Sequence, residues 1–517
     1  MLSIRFLPRA ARATAAIRPN LFHLSSRCYT RSHLRTRFPS RNAFIATSVA
    51  AGVFLYALTQ APTLLDASNS IGIPSTTRDE QQTIHETYVN HLDELRSKEV
   101  RAKFYTAAGD VVRLHGVQHA SNSPCEDEMI HDKLESFGPQ KWAYMAVFDG
   151  HAGGATSKLL KKTLITEVAK DLLKVDDEEQ IESSIKSTFK RIDEQIISRG
   201  RDILKSGSAT SQAEKDILAQ AYAGSCALLA MFDPASAKLR VAVTGDSRAV
   251  LGRYSDEEGT YVALPLSIDQ NGKNPMEKAR MDRDHPGEDK VINPRSGRVL
   301  GLAISRAFGD SRWKWTEEES LLAHEKFAGL RMRGLGPPGS VKTPPYLTAE
   351  PEITDTTVAM GPSEANADFL IMASDGFWDH ISTEDAVTCV AEWVRHHAAA
   401  SRTPGSSPLK PITDANDRRL WQAFGKPSPI SWPLVKGSGV WGDWRMATED
   451  FVNEEHNAAT HLVQNAFGGA KRGLFCGAMA EQYPLSRYAR DDISVYVVFF
   501  GKVGGKTIVD DPTLRVV

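Results

Sequence analysis

Four segments of this 517-residue chain set an aspartate against a short apolar run, and a fifth places an acidic pair ahead of one. They are AVFDGH with Asp149, Gly150 and His151, VTGDS with Asp246, IMASDG with Asp375, ARDDIS with Asp491 and Asp492, and SNSPCEDEM with Glu126 and Asp127. One such aspartate beside a glycine is what a tight turn asks for. Five constrain the fold more strongly. If those strand ends converge, they build a carboxylate cluster that cannot stay ionised in a small volume without cations. All-oxygen donor sets select hard ions, Mg2+ or Mn2+, over zinc or copper. Two such ions about 3.5–4 Å apart would hold a bridging hydroxide for in-line attack on phosphorus, so metal-assisted phosphoester chemistry is the leading expectation from spacing alone.

The runs 141–148, 225–232, 238–244, 248–254, 368–373 and 493–500 are short, β-branched or aromatic, and bounded by Gly, Asp or Pro. They are expected as strands. Several follow one another without an intervening helix, which favours antiparallel pairing and an α+β layered class. Residues 155–173 place Leu160, Leu164, Val168 and Leu172 four apart, the pattern of a helix with one buried face, and 181–198 continue in that style. Segments 311–346 and 399–450 are expected as surface insertions, since loops this long are usually functional or mobile.

The first 65 residues contain nine Arg, no Lys and no Asp or Glu. Arg-rich, Ser-containing and acid-free is the composition of a mitochondrial transit peptide, assigned to 1–42. Residues 43–58, AFIATSVAAGVFLYAL, are uncharged and mostly apolar. As a helix they would span about 24 Å, short of the ~30 Å hydrocarbon core; extension to Leu65 reaches the usual length. Segment 43–65 is therefore either an inner-membrane anchor, with the body in the intermembrane space, or the end of a cleaved presequence, with the body in the matrix. Residues 66–99 are expected as a linker, 100–503 as the catalytic domain and 504–517 as a C-terminal tail. Beyond residue 65 the chain holds 53 basic and 64 acidic residues, a net of −11. That acidity argues against non-specific nucleic-acid binding, which rests on neutralising phosphates. Cys28, Cys125, Cys226, Cys389 and Cys476 are scattered with no CxxC pair. Neither a zinc ribbon nor a disulfide framework fits; reduced, mostly buried thiols do.

Read in order, SNSPCED (121–127), VFDGHAG (147–153), Gly224–Ser225, TGDSR (244–248), RVLGLAISRAFGD (298–310), TAEPE (348–352), ASDGFWD (373–379) and RDDISV (490–495) resemble the metal-dependent Ser/Thr protein phosphatases of the protein phosphatase 2C type. The resemblance covers about residues 100–503. LPLSIDQNGKNPMEKARMDRDHPGED (264–289), SRAFGDSRWKW (305–315) and TPPYLTAEPEI (343–353) are most similar to the mitochondrial pyruvate dehydrogenase phosphatase branch. The resemblance implies a four-layer α-β-β-α sandwich with a metal cluster at one end. It implies that Asp149 bridges two Mg2+ or Mn2+ ions and that Gly150 lends a backbone carbonyl. Glu126 would act through a coordinated water, and Asp127 through waters or from behind the direct ligands. Asp375 and Asp491 would bind the other ion, and Asp246 and Asp379 a weaker third. His151 matches the general acid that protonates the departing Ser or Thr oxygen, a task suited to a pKa near working pH. Asp492 is expected to face away from the ions, because neighbours in a strand alternate faces. Many family members carry a phosphate-gripping Arg where this chain has Asn122; an amide can still hydrogen-bond phosphate, without charge. The implied activity is hydrolysis of phosphoserine or phosphothreonine with no covalent phospho-enzyme. The implied substrate is a mitochondrial phosphoprotein such as the pyruvate dehydrogenase E1 component. The competing readings are a silent phosphoprotein-docking module, a phosphatase of another mitochondrial substrate, and a two-metal phosphodiesterase.

Overall fold

Strand β4 (Ala143–Phe148) alternates strictly between two apolar environments. Ala143, Met145 and Val147 join one buried cluster, while Tyr144, Ala146 and Phe148 join another. Strand β14 (Ile493–Gly501) does the same, with Tyr496, Val498 and Phe500 on one side and Val495, Val497 and Phe499 on the other. Apolar residues on both faces require cover on both faces, so each strand belongs to a sheet caught between two layers. The computed structural model describes residues 78–105, 111–133, 142–175, 177–207, 209–327, 341–360, 366–399, 444–501 and 515–516.

One sheet has the order β10 (Thr260–Pro265), β9 (Arg248–Ser255), β13 (Phe369–Ala373), β14, β2 (Val111–His119), β1 (Glu99–Tyr105) and β15 (Arg515–Val516). All its pairs are antiparallel except the short β1–β15 contact. The second sheet, wholly antiparallel, runs β12 (Glu352–Thr357), β8 (Lys238–Thr244), β7 (Ala227–Asp233), β4 and β3 (Glu128–Lys133). The sheets face each other across a core of Leu114, Met145, Leu228, Val241, Leu370 and Val498. Helices α2 (Ala155–Leu172), α3 (Glu178–Ser206) and α4 (Gln212–Tyr222) cover the second sheet. The expected α-β-β-α sandwich is thus the observed one.

Helix α2 buries the expected Leu160, Leu164, Val168 and Leu172. The helix expected over 181–198 is longer. The Asp177 carboxylate accepts the Glu179 N–H at its start, and Gly207 ends it at φ 79°. After α5 (Pro275–Asp284) and α6 (Glu317–Phe327), the outer face of the first sheet is covered by α7 (Thr383–Ala399), α8 (Ala458–Ala466) and α9 (Arg472–Ala480).

Three boundary expectations are corrected. Residues 78–96 are not linker: α1 (Arg78–Arg96) buries Ile84, Tyr88, Leu92 and Leu95 in the same layer. Within the expected 504–517 tail, Arg515 and Val516 pair with Ala102 and Lys103. The described parts of 311–346 are packed rather than loose, with Trp313, Trp315, Val341 and Tyr346 all buried. Residues 328–340 and 400–443, which hold most of the other expected insertion, lie outside the described residues, as do 1–42 and 43–65. Among the described residues no helix is long and apolar enough to cross a membrane.

Candidate active site

Antiparallel register brings the acidic segments to one end of the sandwich. β3 pairs Glu128 with Phe148, so Glu126 and Asp127 enter beside the exit of β4, where Asp149 follows. β7 pairs Ala227 with Thr244 and Leu228 with Val147, which sets Cys226 between Asp149 and Asp246. The Cys226 N–H donates to the Asp149 carbonyl at 2.8 Å, and its thiol lies 3.4 Å from Asp246 Oδ1. Donor atoms of Asp149, Cys226 and Asp246 all fall within 4.8 Å of one another. In the facing sheet β13 pairs Ala373 with Val495, so Asp375 emerges where Asp491 and Asp492 lead into β14. Gly376 allows that approach; a Cβ there would sit 2.1 Å from the Asp492 carbonyl oxygen.

The electrostatics show which carboxylates share the space. Burial, then Asp375, Asp127 and Asp246, push the Asp149 carboxyl well above its ordinary range. Burial, then Asp492 and Asp375, raise Asp127. Burial, then Asp375 and Asp269, raise Asp246. Asp127 is 3% exposed, and its Oδ2 has no hydrogen-bond partner among the described residues. A buried carboxylate oxygen left unmatched beside three more carboxylates needs either protons or cations. The donor set is carboxylate oxygens with one thiol and nearby backbone carbonyls, so hard divalent ions fit it.

Other expected residues sit at the margin. Glu126 is half-buried, its pKa raised by burial despite the Gly153 N–H. Gly150 lies against the Glu126 carbonyl, which a Cβ would meet at 2.1 Å. Asp491 forms an ion pair with Arg487 one turn earlier. Asp379 is exposed and lies near Arg248. The Asn122 Nδ2 donates to Asp492 Oδ2 at 2.8 Å. Asp492 accepts the N–H groups of Ser121, Asn122 and Glu126, and after burial its charge is the largest influence raising Asp127, so it borders the cluster.

His151 Nε2 lies 2.7 Å from Asp310 Oδ2. Burial disfavours the imidazolium, but Asp310, with Asp246 and Glu126 behind it, holds the His151 pKa above its ordinary value. Sequence reasoning passed over Asp310, although SRAFGD repeats the signal of an apolar run ending on Gly-Asp. It also passed over Asp269, which takes both arms of Arg248 at 3.0 and 2.8 Å. The same guanidinium lies 5.1 Å over the Trp378 ring and donates to Thr383.

A pH dependence follows from the raised carboxyls. Groups whose folded pKa exceeds the unfolded one stabilise the fold when protonated. For Asp127 and Asp246 that contribution is complete below 3.8 and is lost as pH climbs through about 8. Divalent ions replace the protons. Mg2+ or Mn2+ is therefore expected to raise the melting temperature more at about pH 8 than at about pH 5. Equal shifts at both values, measured by scanning calorimetry against a chelator control, would contradict this cluster.

Known proteins bear on the same residues. The sequence profile of the family "Protein phosphatase 2C" matches residues 112–406. A protein phosphatase 2C homolog of Schizosaccharomyces pombe is 36% identical over 74% of this chain and 79% of its own length. The mitochondrial [pyruvate dehydrogenase [acetyl-transferring]]-phosphatase 1 of Saccharomyces cerevisiae is 32% identical over 79% of this chain and 72% of its own. A solved serine-threonine phosphatase 2C from Toxoplasma gondii is similar at 17% identity and TM-score 0.41, covering 78% of this chain and 98% of that one. With the profile match spanning more than half its length, this chain belongs to the protein phosphatase 2C family of metal-dependent serine/threonine protein phosphatases.

Proposed function

We propose that this protein removes phosphate from serine on the E1 component of pyruvate dehydrogenase, in mitochondria. The observation that carries the phosphatase reading is the convergence of Asp127, Asp149, Asp246 and Asp375 beside a carboxylate-bound histidine. The substrate reading rests on the yeast relative's name and on the matching segments 264–289 and 343–353. Residues 1–42 are the proposed mitochondrial address, and the matrix is the compartment that this substrate requires.

Asp149, Asp127 and Asp375, with the Gly150 carbonyl and Asp491, would hold two divalent ions; Asp246 and Asp379 would hold a weaker third. When bound, Mg2+ or Mn2+ lowers the pKa of water and offsets charge on the phosphoryl oxygens. The chain's own residues supply the rest. The clustered carboxylates at the strand ends would fix the position of the centre. His151, a quarter of its side chain exposed, is placed to hand a proton to the departing serine oxygen.

The test compares phosphate release by the full chain, with Mn2+, from phosphorylated pyruvate dehydrogenase E1 and from an unrelated phosphoserine protein. The reading predicts a kcat/KM at least about tenfold higher for E1. Equal values would overturn the substrate assignment and leave the enzyme class standing.

A further inference from the structure

We propose that Asp310 is a positioning residue: it holds His151 through Nε2, so that Nδ1 is the nitrogen presented to the leaving oxygen. This rests on the phosphatase reading above. The pair is built by the third sheet, in which β6 (Gly224–Ser225) lies between β5 (Gly150–His151) and β11 (Phe308–Gly309). Gly224 is in register with His151 on one side and Gly309 on the other. The His151–Asp310 bond of 2.7 Å therefore crosses over Gly224. A Cβ at that glycine would lie 2.0 Å from Nε2 and 2.3 Å from Asp310 Oδ2, so only the bare backbone leaves room for the pair.

Asp310 is itself held. Its N–H donates to the Ala223 carbonyl at 3.0 Å, and its own carbonyl accepts the Trp313 N–H at 2.9 Å. It occupies the left-handed region at φ 52°, and the preceding Gly309 donates to Asp193. The Asp310 side chain is 1% exposed and that of His151 is 26% exposed, a buried anchor with an accessible working end. A protonated imidazole carries hydrogen on both ring nitrogens, so Nε2 donates to Asp310 Oδ2 and Nδ1 keeps a proton to give. In the reaction, the attacking hydroxide forms its bond to phosphorus. The bond from phosphorus to the serine Oγ breaks with its electron pair going to Oγ. The Nδ1 proton moves to Oγ, and the neutral imidazole keeps its Nε2–H on Asp310 until water returns a proton to Nδ1.

The experiment uses the full chain with Mn2+, a phosphoserine peptide and p-nitrophenyl phosphate, whose leaving group departs without a proton. Asp310→Asn is expected to lower kcat on the peptide about 10–100-fold with KM within about twofold. The loss on p-nitrophenyl phosphate is expected to be at least about tenfold smaller. In the His151→Ala background the same substitution is expected to add less than about twofold. Equal loss on both substrates, no loss on the peptide, or an undiminished loss without His151 would each overturn the assignment. A wild-type chain that releases phosphate from neither substrate overturns the phosphatase reading itself, and this one with it.

Discussion

Asp149→Asn is expected to lower turnover of a phosphoserine substrate about a thousand-fold or more while making the metal-free protein more stable. The two effects have one cause. Asp149 is the carboxylate that feels three others, Asp375, Asp127 and Asp246, in a buried space. On the proposed reading Asp149 is a metal ligand, so removing its charge would cost several kcal/mol of transition-state stabilisation. The same change relieves repulsion that the metal-free fold must otherwise bear. At about pH 8 the gain is read as a higher denaturation midpoint in chelator. It should vanish below about pH 4, where the wild-type carboxyls are protonated in both states. The Asn amide matches the carboxylate in size, so packing is not the variable. A variant that keeps near-wild-type turnover, or one that melts earlier than wild type in chelator at the higher pH, would contradict the assignment.

Asp492→Ala acts by another route. Asp492 is 2% exposed and accepts four hydrogen bonds: from the Ser121 N–H at 2.5 Å, and at 2.8 Å each from the Asn122 N–H, Asn122 Nδ2 and the Glu126 N–H. Burial works against its charge, but these donors win and hold its pKa below the ordinary value. Truncation leaves buried donors without an acceptor, an expected loss of about 3–5 kcal/mol. The loop so released leads directly into Asp127, so activity should fall about 10–100-fold even at temperatures where the variant stays folded. Asp492→Asn keeps one acceptor oxygen and should lose about half as much stability. Chemical denaturation of the three proteins checks the order. An alanine variant as stable as wild type would mean that the loop is fixed by something else.

The strands were legible where both faces are apolar. The runs 238–244 and 493–500 match β8 and β14 to within a residue, because nearly every position in both strands is buried. Strands that are both charged and partly exposed were not. β1 carries Glu99, Arg101 and Lys103, and β12, EITDTT, is largely exposed. Helix α1 was missed for a similar reason. Ile84, Tyr88, Leu92 and Leu95 follow a helical spacing, but a sequence otherwise dense in Asp, Glu, Gln and Asn reads as solvated linker.

At the site, Asp127, Asp149, Asp246 and Asp375 could be named because each lies beside a strand end that register then aligns. The partnership of Asp310 with His151 could not be read, since 159 residues separate them and only the three-stranded sheet brings them together. The work of Asp492 was also hidden. Asp492 precedes β14, which begins at Ile493, so alternation does not fix its direction, and only the fold shows the loop whose N–H groups it accepts.

The most direct measurement of the central claim is phosphate release from a phosphoserine peptide by the full chain, with Mg2+ or Mn2+ against excess chelator, and Asp375→Asn alongside. The account predicts release with either ion, none in chelator, and a loss of about a thousand-fold in the variant. Release that persists in chelator, or that survives in Asp375→Asn, would show that the carboxylates at this end of the sandwich do not form the catalytic centre.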